Sequence, residues 1–290
     1  MTLRIAHPIT GFVLEFRHRN LSGIHPPMKA IHAFVITSLA LCTAAFAQAQ
    51  ATPKPNTLAA TAKGFHLDGE RWTYRDGDFA MDGVFVKPDG NGPFPAVLIS
   101  HGMGGNAQSF GLNKAREMVK WGVVCIAPNY THAGRDADRS QAGASAENIR
   151  RARTCLDILR SQPFVDGQRL AAYGHSMGGF VTIGLAATAP DAIKAAAISG
   201  SGVAPRSGFP APSVDDAGKI RAPFLMLHGS ADTTVRPEQS ASLKRVLDEH
   251  HVVNERHIFE GENHPIDQTK REEVFRMIRE WFVKNGVLKN

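Results

Sequence analysis

Cysteine is scarce in this chain, which holds only three cysteines among 290 residues. Cys42 lies in an apolar segment near the N-terminus, Cys125 in an apolar strand-like run and Cys155 in a predicted helix. Apolar settings of this kind usually hold buried free thiols, although an oxidising compartment would permit a disulfide between Cys125 and Cys155. Neither of these two cysteines lies in a sharp strand-to-helix turn, so neither is predicted to be a nucleophile.

Sequence signals for phosphates, metals and nucleic acids are also missing. The chain has neither a G-x-G-x-x-G pattern nor a P-loop, and its 13 histidines show no H-x-x-x-H or Cys-His metal spacing. No basic stripe with interleaved aromatic residues occurs, and the formal charge of +6 falls to about +3 when residues 1–49 are left out. The sequence therefore predicts no cofactor, no metal and no nucleic-acid partner.

The one long apolar run lies near the N-terminus. Met28 and Lys29 precede it, and it ends in an A-x-A pattern, which is typical of a secretory signal peptide over residues 28–49. His32, Thr37, Ser38 and Thr43 make the run too polar for a stable membrane anchor. Because a signal peptide normally begins at the N-terminus, we interpret residues 1–27 as an upstream extension. The predicted location is periplasmic or secreted.

The rest of the chain reads as a short linker and one domain. Residues 50–63 are rich in Pro, Thr and Ala and are predicted to be the linker, and residues 64–290 are long enough for a single α/β domain. After an opening strand pair, strand-like and helix-like segments alternate, which predicts a mostly parallel central sheet with helices on both faces and a short cap. The predicted strands are 70–74, 79–87, 95–101, 123–128, 169–174, 193–199, 223–229 and 253–259. The predicted helices lie near 108–120, 146–161, 177–188, 237–249 and 268–284.

The most informative motif is Gly174-His175-Ser176-Met177-Gly178, which fits the G-x-S-x-G nucleophile elbow. An apolar strand precedes it and a helix-like run follows, so the serine is predicted to sit in a strained turn with its hydroxyl exposed. Ser176 is the candidate nucleophile. His175, inside the motif, is interpreted as a packing residue under the turn.

A serine hydroxyl needs a base to accept its proton, and that base needs an acid to orient it. In a mostly parallel sheet that carries a G-x-S-x-G elbow, the three catalytic residues are expected in the chain order serine, carboxylic acid, histidine. Asp232 follows the strand 223–229, and His264 follows the strand 253–259, so both lie in loops after strand ends. We therefore predict a catalytic triad of Ser176, Asp232 and His264, although each of the latter two alone could be an ordinary turn or surface residue.

An acyl-transfer site also needs donors for the developing oxyanion. The expected donors are the backbone N–H after the nucleophile, here Met177, and an N–H in the Gly-rich loop after the strand 95–101. In that loop we favour Met103, with Gly104 as the alternative.

Two further loops could shape a substrate pocket. Residues 129–144 contain Arg135 and Arg139, which could hold a carboxylate on the substrate, although solvated surface positions are the commoner role for such arginines. Residues 200–217 are rich in Gly, Pro and Ser and too short for a large helical lid, which predicts an open site. The residues that bind substrate are otherwise not predicted.

These motifs, together with His101-Gly102, resemble the α/β-hydrolase superfamily and, within it, the dienelactone-hydrolase-like branch over about residues 65–286. The resemblance implies the α/β-hydrolase fold. Dienelactone hydrolases carry a cysteine nucleophile and a glutamate after the first strand of this kind, where this chain has Ser176 and Gly102. The resemblance therefore implies a general serine esterase.

The favoured function is an exported serine hydrolase that cleaves small carboxylic esters through an acyl-enzyme. The Gly-His-Ser-Met-Gly-Gly stretch is also similar to cutinase-like polyester hydrolases, which usually place a Trp in the loop that here reads Ser199-Gly200-Ser201-Gly202. A serine peptidase of the prolyl-oligopeptidase type is another alternative, although such enzymes usually carry an extra propeller domain. From a different class, a non-catalytic α/β-hydrolase-fold binding protein would typically lack a member of the triad.

Overall fold

A computed structural model of the chain describes residues 61–134, 137–204 and 208–289. The predicted extension 1–27 and the predicted signal peptide 28–49 lie outside these residues, as does Arg135. The last part of the predicted linker, residues 61–63, is helical, so regular secondary structure is already present before the predicted domain start at residue 64.

The described residues form a nine-stranded sheet in the order β1-β2-β3-β5-β4-β6-β7-β8-β9. The strands are β1 (Phe65–Asp68), β2 (Arg71–Asp76), β3 (Phe79–Val86), β4 (Phe94–Ser100), β5 (Val124–Pro128), β6 (Val165–His175), β7 (Ala195–Ser199), β8 (Phe224–Gly229) and β9 (Asn254–Phe259). The first three strands pair antiparallel, and β3 also runs antiparallel to β5. From β5 to β9 every pairing is parallel, which confirms the predicted mostly parallel sheet.

Most of the helices connect the parallel strands, and the last two follow β9. They are α1 (Leu112–Met118), α2 (Ala146–Ser161), α3 (Met177–Thr188), α4 (Val214–Ala217), α5 (Glu238–Glu249), α6 (Ile266–Thr269) and α7 (Arg271–Lys284). A π-helical turn, Ala107–Gly111, leads into α1, and 3₁₀ turns span Val119–Trp121 and Arg139–Gln141. The longer helices match the predicted segments, whereas β1 and α4 were not predicted.

Two apolar cores cover the two faces of the sheet. Alternate residues along β4 divide between them: Ala96 and Leu98 pack in one core, and Val97 and Ile99 in the other. The first core holds the apolar faces of α2, α3 and α5, and the second holds those of α1 and α7. The central strands are buried on both faces, which explains why they read as continuous apolar runs in the sequence.

The two cysteines of the domain lie in different cores. Cys125 on β5 packs in the second core and Cys155 on α2 in the first, and both are buried free thiols. Cys125 and Cys155 therefore form no disulfide with each other, which was the alternative that the sequence allowed. Of the described helices, none has the length and apolar character needed to cross a membrane.

Candidate active site

Ser176 occupies the sharp turn between β6 and α3. Its backbone has φ 54° and ψ −120°, a left-handed conformation that costs a non-glycine residue free energy, as the elbow motif predicts. Glycines make the turn tight: a Cβ on Gly174 would lie 2.2 Å from the Gly178 carbonyl oxygen, and one on Gly178 only 2.1 Å from that of Ser100. The backbone N–H of Ser176 donates to the Ser199 carbonyl at 2.9 Å, which ties the turn to β7.

The structure brings Ser176, His264 and Asp232 together from the loops after three different strands. His264 Nε2 lies 2.9 Å from Ser176 Oγ, and His264 Nδ1 lies 2.8 Å from Asp232 Oδ2. The imidazole side chain is 18% exposed and the carboxylate is fully buried, so the serine end of this chain of hydrogen bonds opens toward solvent. The geometry suits proton transfer from the serine hydroxyl to the imidazole.

Asp232 is held in place from its other side. Its Oδ1 accepts the backbone N–H groups of Thr234 and Val235 at 2.9 and 2.8 Å. His228, buried on β8, donates Nε2–H to the Val235 carbonyl at 2.8 Å and lies 3.2 Å from Asp232 Oδ2. Burial lowers the pKa of His228 despite the opposing effects of Val235 and Asp232. Sequence reasoning missed His228, although a histidine inside an apolar strand was the available signal.

The two predicted oxyanion donors lie at the start of α3 and in the loop after β4. Met177 begins α3, and within the described residues neither its N–H nor that of Met103 has a protein acceptor. The loop that carries Met103 passes against Ser176, since a Cβ on Gly102 would lie 3.3 Å from Ser176 Cβ. Gly104 is not a free donor, because its N–H donates to the His132 carbonyl at 3.1 Å. Of the two predicted alternatives in this loop, the hydrogen bonding favours Met103.

Two buried histidines hold this loop. His101 donates Nδ1–H to the Gly102 carbonyl at 2.9 Å and accepts the Tyr130 N–H on Nε2 at 3.1 Å. His132 donates Nε2–H to the His101 carbonyl at 3.1 Å and accepts from Asn148 on Nδ1 at 3.2 Å. Burial lowers the pKa of His101 to about 3 and that of His132 to about 4, so both rings are neutral at pH 7 and keep one donor and one acceptor each. Sequence reasoning did not identify this network.

His175 packs beneath the turn, as predicted. Its ring stacks on Phe110, and its Nδ1 lies 3.0 Å from Ser199 Oγ.

Two arginines were predicted to hold a carboxylate on the substrate. Arg135 lies outside the described residues, and Arg139 packs its guanidinium 4.3 Å from the centre of the Phe209 ring. That contact joins the two loops predicted to shape the pocket. Among the described residues, no group of three His, Cys, Asp or Glu side chains is arranged to hold a metal ion.

Comparisons with known proteins identify the family of the chain. A family model described as the dienelactone hydrolase family matches residues 81–281. The chain is 26% identical over 249 residues to a Yersinia pestis protein described provisionally as a carboxymethylenebutenolidase, which covers 77% of this chain and 90% of that protein. It is also 33% identical over 128 residues to dipeptidyl-peptidase 5 of Porphyromonas gingivalis, which covers 40% of this chain and 19% of that protein.

Among solved structures, acylaminoacyl peptidase of Pyrococcus horikoshii superposes with a TM-score of 0.64 at 16% identity, over 82% of this chain and 45% of that one. The chain therefore spans about a fifth of the dipeptidyl-peptidase and less than half of the acylaminoacyl peptidase. At this identity the structural likeness supports the fold alone, which is the α/β-hydrolase fold. Since the matching family model covers most of the chain, the protein belongs to the dienelactone hydrolase family of hydrolases.

Proposed function

We propose that this hydrolase is an exported serine esterase that cleaves small carboxylic esters through an acyl-enzyme on Ser176. The observation that carries the proposal is the continuous chain of hydrogen bonds from Ser176 Oγ through His264 to Asp232, at 2.9 and 2.8 Å. Ser176 lies at the tip of a strained turn and is partly exposed, so a substrate carbonyl can reach its hydroxyl. A buried serine of structural importance would need neither the strain nor the base.

The reaction proceeds in two halves. Ser176 Oγ attacks the ester carbonyl carbon while His264 Nε2 takes the hydroxyl proton, and Asp232 stabilises the resulting imidazolium through Nδ1–H. The N–H groups of Met177 and Met103 donate to the oxyanion of the tetrahedral intermediate. The alcohol leaves with the proton from His264, which yields the acyl-enzyme. A water molecule then attacks the acyl carbonyl with His264 as the base. His264 returns that proton to Ser176 Oγ, which releases the carboxylic acid and regenerates free Ser176.

The test is hydrolysis of p-nitrophenyl esters from acetate to octanoate, with Ser176→Ala and His264→Ala beside the wild type. We expect turnover by the wild type and a loss of at least about 10³-fold in kcat for each variant, because the base and nucleophile act as one unit. Lys244→Ala, on the exposed surface of α5, serves as the matched control and should keep full activity. Turnover that survives in Ser176→Ala would contradict the proposal.

A serine peptidase is the second candidate, because the curated and structural relatives include dipeptidyl-peptidase 5 and an acylaminoacyl peptidase. Acylaminoacyl- and dipeptidyl-p-nitroanilides distinguish the two candidates, since they present an amide to the same nucleophile. Faster hydrolysis of an anilide than of every ester would favour the peptidase. The proposed export is tested separately by N-terminal sequencing of the mature protein, which should begin at residue 50 after cleavage behind Ala49, or at residue 48 after cleavage behind Ala47.

A further inference from the structure

A buried ion pair lies behind the His264 loop, outside the chain of hydrogen bonds described above. Lys114 Nζ on α1 lies 2.6 Å from Asp267 Oδ2 on α6 and donates to the Asp267 backbone carbonyl at 3.0 Å. The two side chains are 3% and 0% exposed. In the described part of the chain, the other two lysine–aspartate pairs, Lys219–Asp216 and Lys244–Asp248, are largely exposed. The buried pair therefore differs from the ordinary surface pairs of this protein.

Asp267 is only three residues after His264, and the backbone between them is tightly turned. The His264 carbonyl accepts the N–H of Ile266 at 2.9 Å, and the Pro265 carbonyl accepts those of Gln268 and Thr269 at 2.8 and 3.0 Å. A segment closed in this way has little freedom to move one end while the other end is fixed. Anchoring Asp267 to α1 therefore restricts where the backbone of His264 can lie.

His175 fills the space between the ion pair and the imidazole of His264. Its Nδ1 lies 3.7 Å from Asp267 Oδ1, and its ring centre lies 4.9 Å from that of His264. On its other side it stacks on Phe110 at 6.0 Å between ring centres, and Lys114 Nζ lies 5.1 Å from the centre of the Phe110 ring. These five side chains form one packed block, in which the ion pair supports His264 both through the backbone and through His175.

The charges of this block follow from burial and proximity. Burial lowers the pKa of His175 to about 4 against the opposing attraction of Asp267, so His175 is neutral at pH 7. Burial works to raise the pKa of Asp267, but His175 and Lys114 lower it on balance, and the carboxyl remains charged. Burial lowers the pKa of Lys114, while Asp267 acts in the opposite direction.

Stability alone does not explain such a pair. The cost of removing two charges from water largely cancels their attraction, and apolar residues of similar volume are often as stable or more so. What this pair adds is an attachment, because Lys114 Nζ holds Asp267 to α1 both through its carboxylate and through its backbone carbonyl.

We propose that the Lys114–Asp267 ion pair, with His175 packed against it, positions the imidazole of His264 for proton transfer from Ser176. The proposal rests on the function proposed above, in which His264 is the base. Lys114, Asp267 and His175 are positioning residues in this arrangement and touch no reacting atom.

The test is the variant Lys114→Met/Asp267→Asn, which removes both charges with little change in volume. We expect it to fold, to keep KM and to lose about 10- to 100-fold in kcat, since a displacement of about 1 Å at a reacting group has an effect of that size. The rate at which a fluorophosphonate labels Ser176 should fall by the same factor. The matched control Lys244→Met/Asp248→Asn removes an exposed pair on α5 and should change neither rate. A folded double variant with wild-type kcat and labelling rate would overturn the proposal.

A second variant keeps the proposal testable if the double variant does not fold. Asp267→Asn alone is isosteric but leaves the Lys114 charge unpaired, so it should lose at least as much kcat at constant KM, whereas Lys114→Arg, which keeps the charge, should retain most of the activity. Equal losses in both single variants would indicate a merely structural role and contradict the proposal.

A readout that needs no substrate separates this proposal from the proposed function. The His264 Nδ1 proton, hydrogen-bonded to Asp232 at 2.8 Å, should give a far-downfield proton resonance in the wild type. The proposal predicts that this resonance broadens or shifts in Asp267→Asn, and an unchanged resonance would overturn it. Wild-type protein that shows the resonance but neither hydrolyses esters nor reacts with the fluorophosphonate would contradict only the proposed function.

Discussion

The substitution Gly178→Ala tests whether helix propensity or close packing decides stability at the turn that carries Ser176. Gly178 is the second residue of α3, and in a helix interior alanine is more favourable than glycine by about 1 kcal/mol. Propensity alone would therefore make this substitution stabilising. The structure predicts the opposite, because the new Cβ would lie 2.1 Å from the Ser100 carbonyl oxygen and 2.7 Å from that of His101.

The size of the effect follows from this contact. An ordinary Cβ contact begins near 3.4 Å, so α3 and the end of β4 must separate by roughly 1.3 Å, the difference between 3.4 and 2.1 Å. Both neighbours are backbone and cannot rotate away. Overpacking of this kind costs about 1–3 kcal/mol, which equals or exceeds the gain in propensity. The net loss of up to about 2 kcal/mol lowers the Tm of a domain of this size by up to roughly 8 °C.

Activity should suffer more than stability. The same separation moves Met177 and Ser176 relative to the loop that carries Met103, and a displacement of about 1 Å at reacting groups can lower kcat about 100-fold. The assay is p-nitrophenyl ester hydrolysis together with differential scanning calorimetry. Gly208→Ala is the matched control, since a Cβ there meets nothing within 4 Å. A raised Tm with unchanged kcat in Gly178→Ala would refute the packing argument.

Two further predictions concern buried titratable groups. Burial lowers the pKa of His101 to about 3 and those of His132 and His175 to about 4, while the unfolded chain binds these protons near pH 6.5. Each neutral histidine therefore contributes to the free energy of unfolding in full above pH 6.5, and this contribution falls by about 1.4 kcal/mol per pH unit as the pH drops toward 4. Urea unfolding midpoints that stay constant from pH 7.5 to 5 would contradict this prediction. Burial also raises the pKa values of the Cys125 and Cys155 thiols, so a thiol reagent should leave both cysteines unmodified in the native protein and modify them in urea. Peptide mapping measures this, and labelling of either cysteine in the native state would contradict their burial.

The sequence predicted the parts of the fold that depend on local pattern. Parallel strands buried on both faces read as continuous apolar runs, so β4, β5, β7 and β8 were found within one or two residues of their ends. The elbow at Ser176 was found because its glycines and its strand-to-helix setting are all local in sequence. The strand β1 was missed because its residues are mostly exposed and show no alternating burial.

The parts of the site that depend on distant contacts were not predictable in the same way. Lys114 and Asp267 are 153 residues apart, and in sequence each looks like an ordinary charged residue near a helix. His101 and His132 hold the loop of Met103 through backbone carbonyls, which leave no trace in a motif. Only the assembled sheet, which brings the carboxyl ends of its parallel strands to one edge, shows that these groups meet.

Trapping of the acyl-enzyme tests the central claim most directly. The protein is mixed with excess p-nitrophenyl acetate, quenched in acid within milliseconds to seconds, and analysed by intact mass and peptide mapping. The account predicts one acetyl group on the peptide that contains Ser176, a matching burst of p-nitrophenol, and neither signal in Ser176→Ala. Turnover of the ester without a covalent adduct, or an adduct on another residue, would contradict it.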